Sequence, residues 1–241
     1  MVDAYSLRRE TRYGCPAADQ ILVNRFYSVG YSYYFRQAKW AIEIVDPDKK
    51  DMETVDRLNN FRPDFRIPKI FRADLSDYRY SGFDRGHLVA SANLNDEKIQ
   101  NSETFLLSNM SPQRPAFNRV KWKSLERAVR DLDAQDKVLE TYVITGPIFD
   151  FGTPISLIGE MDDNGIHIPV PSHFFKCILA EKTNGKLEMW AFEMENDRLD
   201  GELKSYRTST AYIEQRAGII LWGNLTGPEI EVEKQNIRSM W

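Results

Sequence analysis

Little in this chain suggests a scaffold held by cross-links or metal clusters. Its 241 residues include two cysteines, Cys15 and Cys177, and three histidines, His87, His167 and His173. Two cysteines exclude a disulfide framework and any zinc site built from several thiolates. Both are expected as buried thiols, since cysteine is among the most buried residue types. Three histidines leave little room for a His-rich centre. Long apolar runs are missing too: the longest, near 211–213 and 218–223, fall far short of the ~20 residues that cross a bilayer. The opening MVDAYSLRRE has no apolar core, so no export signal is visible. The expected location is cytoplasmic as the chain stands, with no membrane partner, or exported or organellar if a targeting segment has been removed. Nor is positive charge in excess: 32 Lys+Arg against 36 Asp+Glu give a net charge of -4.

What is present is ample core material, 42% hydrophobic and 12% aromatic, which excludes a disordered chain. No repeat, linker or low-complexity stretch divides it, so residues 1–241 are expected to form one domain. Residues 1–20 read as an arm or loop. Ile21–Tyr34, broken near Gly30, and Ala38–Val45, with Trp40, Ile42 and Ile44 alternating, read as a hairpin. Asp46–Asn60 reads as a loop and Phe61–Arg72 as extended. Ser111–Leu132 starts irregularly at Pro112 and Pro115 and becomes a helix, its stripe Trp122, Leu125, Val129 and Leu132. Strands are expected at Val138–Ile148 (ended by Gly146-Pro147), Ile166–Val170, Phe174–Leu179, Leu187–Phe192 and Gly218–Trp222. Thr208–Ala217 reads as a helix and the rest as a polar tail. Strands and helices mix without a regular βαβ order. The fold class expected is therefore α+β, with a mixed, mainly antiparallel sheet.

The near-neutral charge conceals an asymmetry. Arg62, Arg66, Lys69 and Arg72 crowd one segment, and Arg114, Arg119, Lys121, Lys123, Arg127 and Arg130 another. Acids dominate from 158 to 203, among them Glu160, Asp162, Asp163, Glu181, Glu188, Glu193 and Glu195. A local basic surface is what phosphate binding requires, whatever the total charge.

The two basic segments flank SGFDRGHL at 81–88. Phosphodiester hydrolysis needs a base for water, a cation on the phosphate oxygens, and positive side chains for the developing charge. His87 suits the base. Asn118 offers a neutral oxygen for a hard ion such as Mg²⁺ that keeps most of its waters. Asn118 and Glu126 lie eight positions apart. On a continuous helix that is ~12 Å of rise and ~80° of rotation, so both cannot touch one ion. Either the helix is irregular at Asn118, or Glu126 acts through a water or an arginine; a combination of these is favoured.

Taken together these motifs resemble the DNA/RNA non-specific endonucleases, the ββα-metal or His-Me finger group that includes endonuclease G. The likeness runs from about Tyr13 to Trp222. It includes YGCPA at 13–17, Arg57 with NFRPD at 60–64, YSGFDRGH at 80–87, NMSPQ at 109–113, Asn118, Trp122, Glu126 and VITGP at 143–147. The resemblance implies a ββα-metal motif with His87 as general base and Asn118 as the direct ligand of Mg²⁺, for which Mn²⁺ substitutes. It implies that Glu126 holds the ion's waters and that Arg57 and Arg85 act on the phosphate. Asp84 and Asn109 would organise the motif. The basic segments themselves point to Arg62, Arg114, Arg119 and Lys121 as nucleic-acid contacts. The resemblance further implies DNA and RNA as substrates and a homodimer as a common assembly. A non-specific nuclease without an export signal would threaten its own host, so a lost targeting segment, an inhibitor or an activating partner is expected. His167 and His173 match no motif and are expected in or beside strands. The competing readings are a nucleic-acid-binding module without catalysis, and a Cys-His hydrolase using Cys15 or Cys177.

Overall fold

The alternating apolar pattern builds one large antiparallel sheet. In the computed structural model residues 8–45, 54–159 and 165–241 are described. In chain order the strands and helices are β1 (Gln20–Val23), β2 (Tyr27–Ser32), β3 (Gln37–Ile44), α1 (Leu75–Tyr78), β4 (Asp84–His87), α2 (Lys98–Glu103) and β5 (Met110–Gln113). A π-helical turn, Phe117–Trp122, leads directly into α3 (Lys123–Asp133). There follow β6 (Val138–Ile148), β7 (Leu157–Ile158), β8 (Ile168–Pro169), β9 (His173–Lys182), β10 (Leu187–Glu195), β11 (Arg207–Thr208), α4 (Thr210–Ala217) and α5 (Pro228–Gln235). The main sheet runs β1-β2-β3-β6-β9-β10-β11. Every neighbouring pair in it is antiparallel. The α+β expectation holds.

The sheet carries apolar side chains on both faces. Ala41, Val143, Phe174 and Ile178 point to the face covered by Phe117, Trp122, Leu125, Val129 and Leu132. This is the helical stripe expected from the sequence. Trp40, Ile42, Tyr142, Ile144, Phe175 and Cys177 point to the other face, covered by Ile213, Leu221 and Trp222. Burial on this scale, at roughly 25 cal/mol per Å² of apolar surface, is the main force holding helix to sheet. The pair β4–β5 stands apart from the main sheet, with Asp84 opposite Gln113 and His87 opposite Met110. A smaller cluster of Tyr78, Leu107, Met110, Ile158 and Ile168 lies in this region. Two strands followed by α3 thus form a ββα unit docked on the sheet.

Several local expectations need correction. The first apolar run is two strands, because a turn at Asn24 brings its amide to the Tyr27 carbonyl (2.9 Å). Gly30 does not break a strand: it lies inside β2, where a Cβ would meet the Trp40 ring at 2.1 Å. Ser111 and Pro112 belong to β5 rather than an irregular lead-in. A two-stranded pair leaves one edge of β5 free of ladder bonds, and edge strands tolerate proline. Gly146 and Pro147 sit within β6, paired with Phe175 and Phe174, and do not end it. Gly218–Trp222 is no strand: Gly218 closes α4 in the left-handed region (φ 63). Leu221 and Trp222 are apolar because they pack on the sheet, not because they pair in it. The polar tail contains α5, started by Pro228 with Glu229 and Glu231 in its first turn. Cys177 is buried and Cys15 only half-buried. Residues 1–7 of the expected arm, 46–53 of the expected loop, and Glu160, Asp162 and Asp163 of the acidic segment lie outside the described residues.

The close fit of β6 against β3 makes a test. A Cβ on Gly146 would lie 2.3 Å from the Lys39 carbonyl oxygen and 2.7 Å from the Phe175 ring. Backbone on one side and a buried ring on the other leave no room to yield. Gly146→Ala should destabilise by about 1–3 kcal/mol, read as a lower urea midpoint at unchanged slope. An unchanged midpoint would contradict the packing described.

Candidate active site

β4 delivers Asp84, Arg85 and His87, and the segment after it is clamped. Asn109 donates from Nδ2 to the Val89 and Thr104 carbonyls (3.0 Å each), and its Oδ1 accepts from the Val89 amide (3.0 Å). This buried amide fixes the chain just beyond His87. At Gly86 a Cβ would meet the Gln113 side chain at 2.1 Å, so a larger residue there would push β4 off β5.

The π-helical turn answers the spacing problem. Such a turn carries more residues than an α-turn and frequently marks functional sites. With it in place Asn118 and Glu126 line the same cavity, of about 400 Å³. Arg57, Asp84, Arg85, His87 and Arg119 line it too. So do Lys123 and Arg130, which the motif reading passed over; Arg130, four positions after Glu126, is legible from helical spacing.

Three of the expected residues lie elsewhere. Arg62 donates to the Asn60 and Ser102 carbonyls (3.2 and 2.9 Å) and braces the adjoining loop. Arg114 stacks 5.4 Å over Phe83 and lies 3.9 Å from Asp197. Lys121 donates to the Gly201 carbonyl (2.5 Å). His167 and His173 do not line the cavity; His173 opens β9 beside Ser172, 3.0 Å away.

Asp84 joins strand to helix. Its Oδ2 accepts from Asn118 Nδ2 (3.0 Å), and its two oxygens accept from Arg119 (2.7 and 2.9 Å). Burial works against its ionisation, but the hydrogen bonds from Arg119 and Asn118 outweigh it and hold the carboxyl below its usual range. Spending its N–H on Asp84 fixes the Asn118 amide, whose acceptor is its Oδ1.

His87 is only 8% exposed, between the Phe61 and Phe105 rings at centroid distances of 5.7 and 5.0 Å. Its Nε2 is buried with no hydrogen-bond partner among the described residues. Arg85 stacks over Phe61 (4.1 Å) and Arg57 over Phe105 (5.2 Å). Burial first, then the charges of Arg57 and Arg85, push the His87 pKa down to about 3. The imidazole is therefore neutral at physiological pH, able to accept a proton. Glu126 is shifted the other way. Burial raises its carboxyl, opposed chiefly by the charges of Lys176, Arg130 and Arg57. A neutral base, an oriented amide and a carboxylate face one cavity rimmed by cations.

Comparison with known proteins agrees with this geometry. The profile of the DNA/RNA non-specific endonucleases matches residues 8–226. The chain belongs to that family. It is 34% identical over 232 residues to mitochondrial endonuclease G of Caenorhabditis elegans, covering 92% of this chain and 74% of that protein. Over 219 residues it is 32% identical to mitochondrial endonuclease G of Homo sapiens, covering 89% of this chain and 73% of that protein. The crystal structure titled as the EndoG/EndoGI complex superposes with a TM-score of 0.82 at 30% identity, covering 90% of this chain and 91% of that one. The chain is a DNA/RNA non-specific nuclease, from a family in which metal dependence is the norm. No helix among the described residues is long and apolar enough to cross a membrane.

In this family member the buried histidine can be tested directly. His87 should remain neutral by NMR from pH 8 down to about 5, instead of titrating near the ordinary 6.5. The folded value of about 3 lies below the unfolded one, so the folded state binds fewer protons between them. Its contribution to stability is full above about 6.5 and is lost as the pH falls from there towards 3. A His87 midpoint near 6.5 would contradict the burial described.

Proposed function

We propose that this chain is a Mg²⁺-dependent, sugar-non-specific endonuclease that hydrolyses phosphodiester bonds of DNA and RNA. One observation carries the reading: a neutral, buried imidazole and an amide oriented by Asp84 line the same cation-rimmed cavity. The donor set fits a hydrated hard cation. Among the described residues no group of three His, Cys, Asp or Glu could hold a metal. With the Asp84 carboxylate taken by Asn118 and Arg119, the cavity offers one amide oxygen and the Glu126 carboxylate, which suits an ion that keeps most of its waters. Asn118 would hold Mg²⁺ directly and Glu126 through water, with Mn²⁺ as a substitute. Bound there, the ion supplies positive charge to the phosphate and to the leaving oxygen.

His87 takes a proton from a water molecule, whose oxygen forms a bond to phosphorus as the phosphorus–oxygen bond to the leaving group breaks. Arg57 and Arg85 face the charge that develops on the phosphate oxygens. Asp84 and Asn109 keep the imidazole and amide in place. Arg62, Arg114, Arg119 and Lys121 serve the nucleic acid outside the reacting phosphate, with no base-reading element among them. The non-catalytic alternative is disfavoured by the oriented amide and neutral base, which mere binding does not need. The Cys-His alternative is disfavoured because neither cysteine lines this cavity. Residues 1–241 act as one domain in this reading. The mitochondrial relatives support an organellar destination, and the inhibitor complex of the structural relative supports control by a protein inhibitor. A homodimer completes the reading on family grounds alone.

The two central roles separate experimentally. His87→Ala should keep fold and Mg²⁺ binding while losing cleavage of plasmid DNA by about 10²–10⁴-fold. Asn118→Ala should weaken Mg²⁺ binding itself, so that raising Mg²⁺ partly restores the rate. Wild-type turnover by His87→Ala at high Mg²⁺, or unchanged metal affinity in Asn118→Ala, would overturn the assignment.

A further inference from the structure

Arg57 reaches the cavity from a stretch, 54–61, that forms neither helix nor strand. Such a stretch has no ladder of its own, so its backbone groups must find partners in neighbouring elements. Val55 donates its amide to the Asn95 carbonyl (2.7 Å). The Leu58 amide, next in the chain after Arg57, donates to Oδ1 of Asn101 (3.1 Å). Asn101 belongs to α2 and is 1% exposed. Its Nδ2 donates to the Ser91 carbonyl (2.9 Å) and to the Leu94 carbonyl (3.3 Å). Ser91 lines the cavity, in the turn that follows β4. A single buried side chain therefore ties the stretch that carries Arg57 both to α2 and to the wall beyond His87.

We infer that Asn101 is a positioning residue for Arg57: it fixes the backbone beside the guanidinium against the wall of the cavity. The inference rests on the reading that Arg57 meets the charge developing on the phosphate. The Asn101 amide has its oxygen and both N–H groups engaged, so it cannot turn without losing a bond. Asn109 does the same for the chain beyond His87, another buried amide holding backbone on more than one side. The other contacts of Arg57 do not set where its backbone lies. Its Nε donates to Asn59 Oδ1 (2.8 Å), an exposed side chain that moves with the same stretch. Its guanidinium lies 5.2 Å from the centre of the Phe105 ring, a contact that is weak where the arginine is exposed. The bond at Leu58 is what joins this backbone to the cavity wall. Placement matters at such a group, because a shift of about 1 Å can cost on the order of 10²-fold in rate. An asparagine serving the fold alone would change stability and leave the contribution of Arg57 intact.

The test is a double-mutant cycle on the full chain, with Asn101→Ala, Arg57→Ala and the two combined. Plasmid cleavage gives kcat and KM, thermal unfolding gives the fold, and amide hydrogen exchange reads Leu58. Asn101→Ala should stay folded and speed exchange at the Leu58 amide. It should lower kcat about tenfold with KM within about twofold, because the group it places acts in the transition state. On the Arg57→Ala background the same substitution should cost less than about twofold in kcat, since its target is gone. Wild-type kcat in Asn101→Ala, unchanged exchange at Leu58, or losses that multiply in the combined variant would overturn the inference. Wild-type turnover by Arg57→Ala instead removes the reading of Arg57, and this inference with it. Should Asn101→Ala not fold, Asn101→Ser keeps a hydroxyl for a neighbouring carbonyl while its shorter side chain leaves the Leu58 amide without an acceptor, and it is judged by the same cycle. Failure of that variant to fold as well makes Asn101 a core residue only and also overturns the inference.

Discussion

The carboxylate of Asp84 is the constraint on which the site depends. It sits at the start of β4 and takes hydrogen bonds from Asn118 and Arg119, on the irregular turn before α3. Without it the amide of Asn118 would be free to rotate, and strand and helix would share only apolar contacts in this region. With it, the ionised carboxylate holds one donor from the amide and a two-pronged guanidinium, among the stronger arrangements available to a carboxylate. The neutral base, three residues along the same strand, is thereby placed in fixed relation to the oxygen donor on the helix.

Burial and charge divide the chemistry between the residues. The Phe61 and Phe105 rings, helped by Arg57 and Arg85, keep protons off His87. The same arginines face the cavity, so the cations that hold the base neutral are also those that meet a phosphate. Burial raises the Glu126 pKa, and the charges of Lys176, Arg130 and Arg57 oppose that shift. Arg57 acts on both groups, on the proton acceptor and on the carboxylate. The behaviour of the pair Glu43 and Lys176 fits the same logic: burial raises the Glu43 pKa to about 7, with Lys176 and the Asn93 hydrogen bond opposing it.

How much of this was legible depended on the range of the interaction. The DRGH segment at 84–87 and the helical stripe are local patterns, and each survives in the structure. The eight-residue spacing of Asn118 and Glu126 pointed to a helical irregularity, or to Glu126 acting at a distance, and an irregularity is seen at Phe117–Trp122. Where proline was read as an irregular start at Pro112, or apolar residues as a strand at Gly218–Trp222, edge position and face packing decided instead. Glu43, Thr145 and Lys176 were invisible as a group. They meet through cross-strand register between β3, β6 and β9, and nothing local marks a buried lysine in a hydrophobic strand. Arg62, Arg114, Arg119 and Lys121 were placed by charge, and charge does not say that of the four only Arg119 lines the cavity.

The account turns on a division between a histidine that handles the proton and an amide oxygen that holds the metal. Pulsed electron paramagnetic resonance on the Mn²⁺-loaded protein, with nitrogen-15 in the histidine rings, addresses it most directly. The account predicts no imidazole nitrogen bonded to Mn²⁺ and water protons in its coordination sphere. A directly bound His87 nitrogen would contradict it, since a histidine committed to the metal cannot also accept the proton of the attacking water.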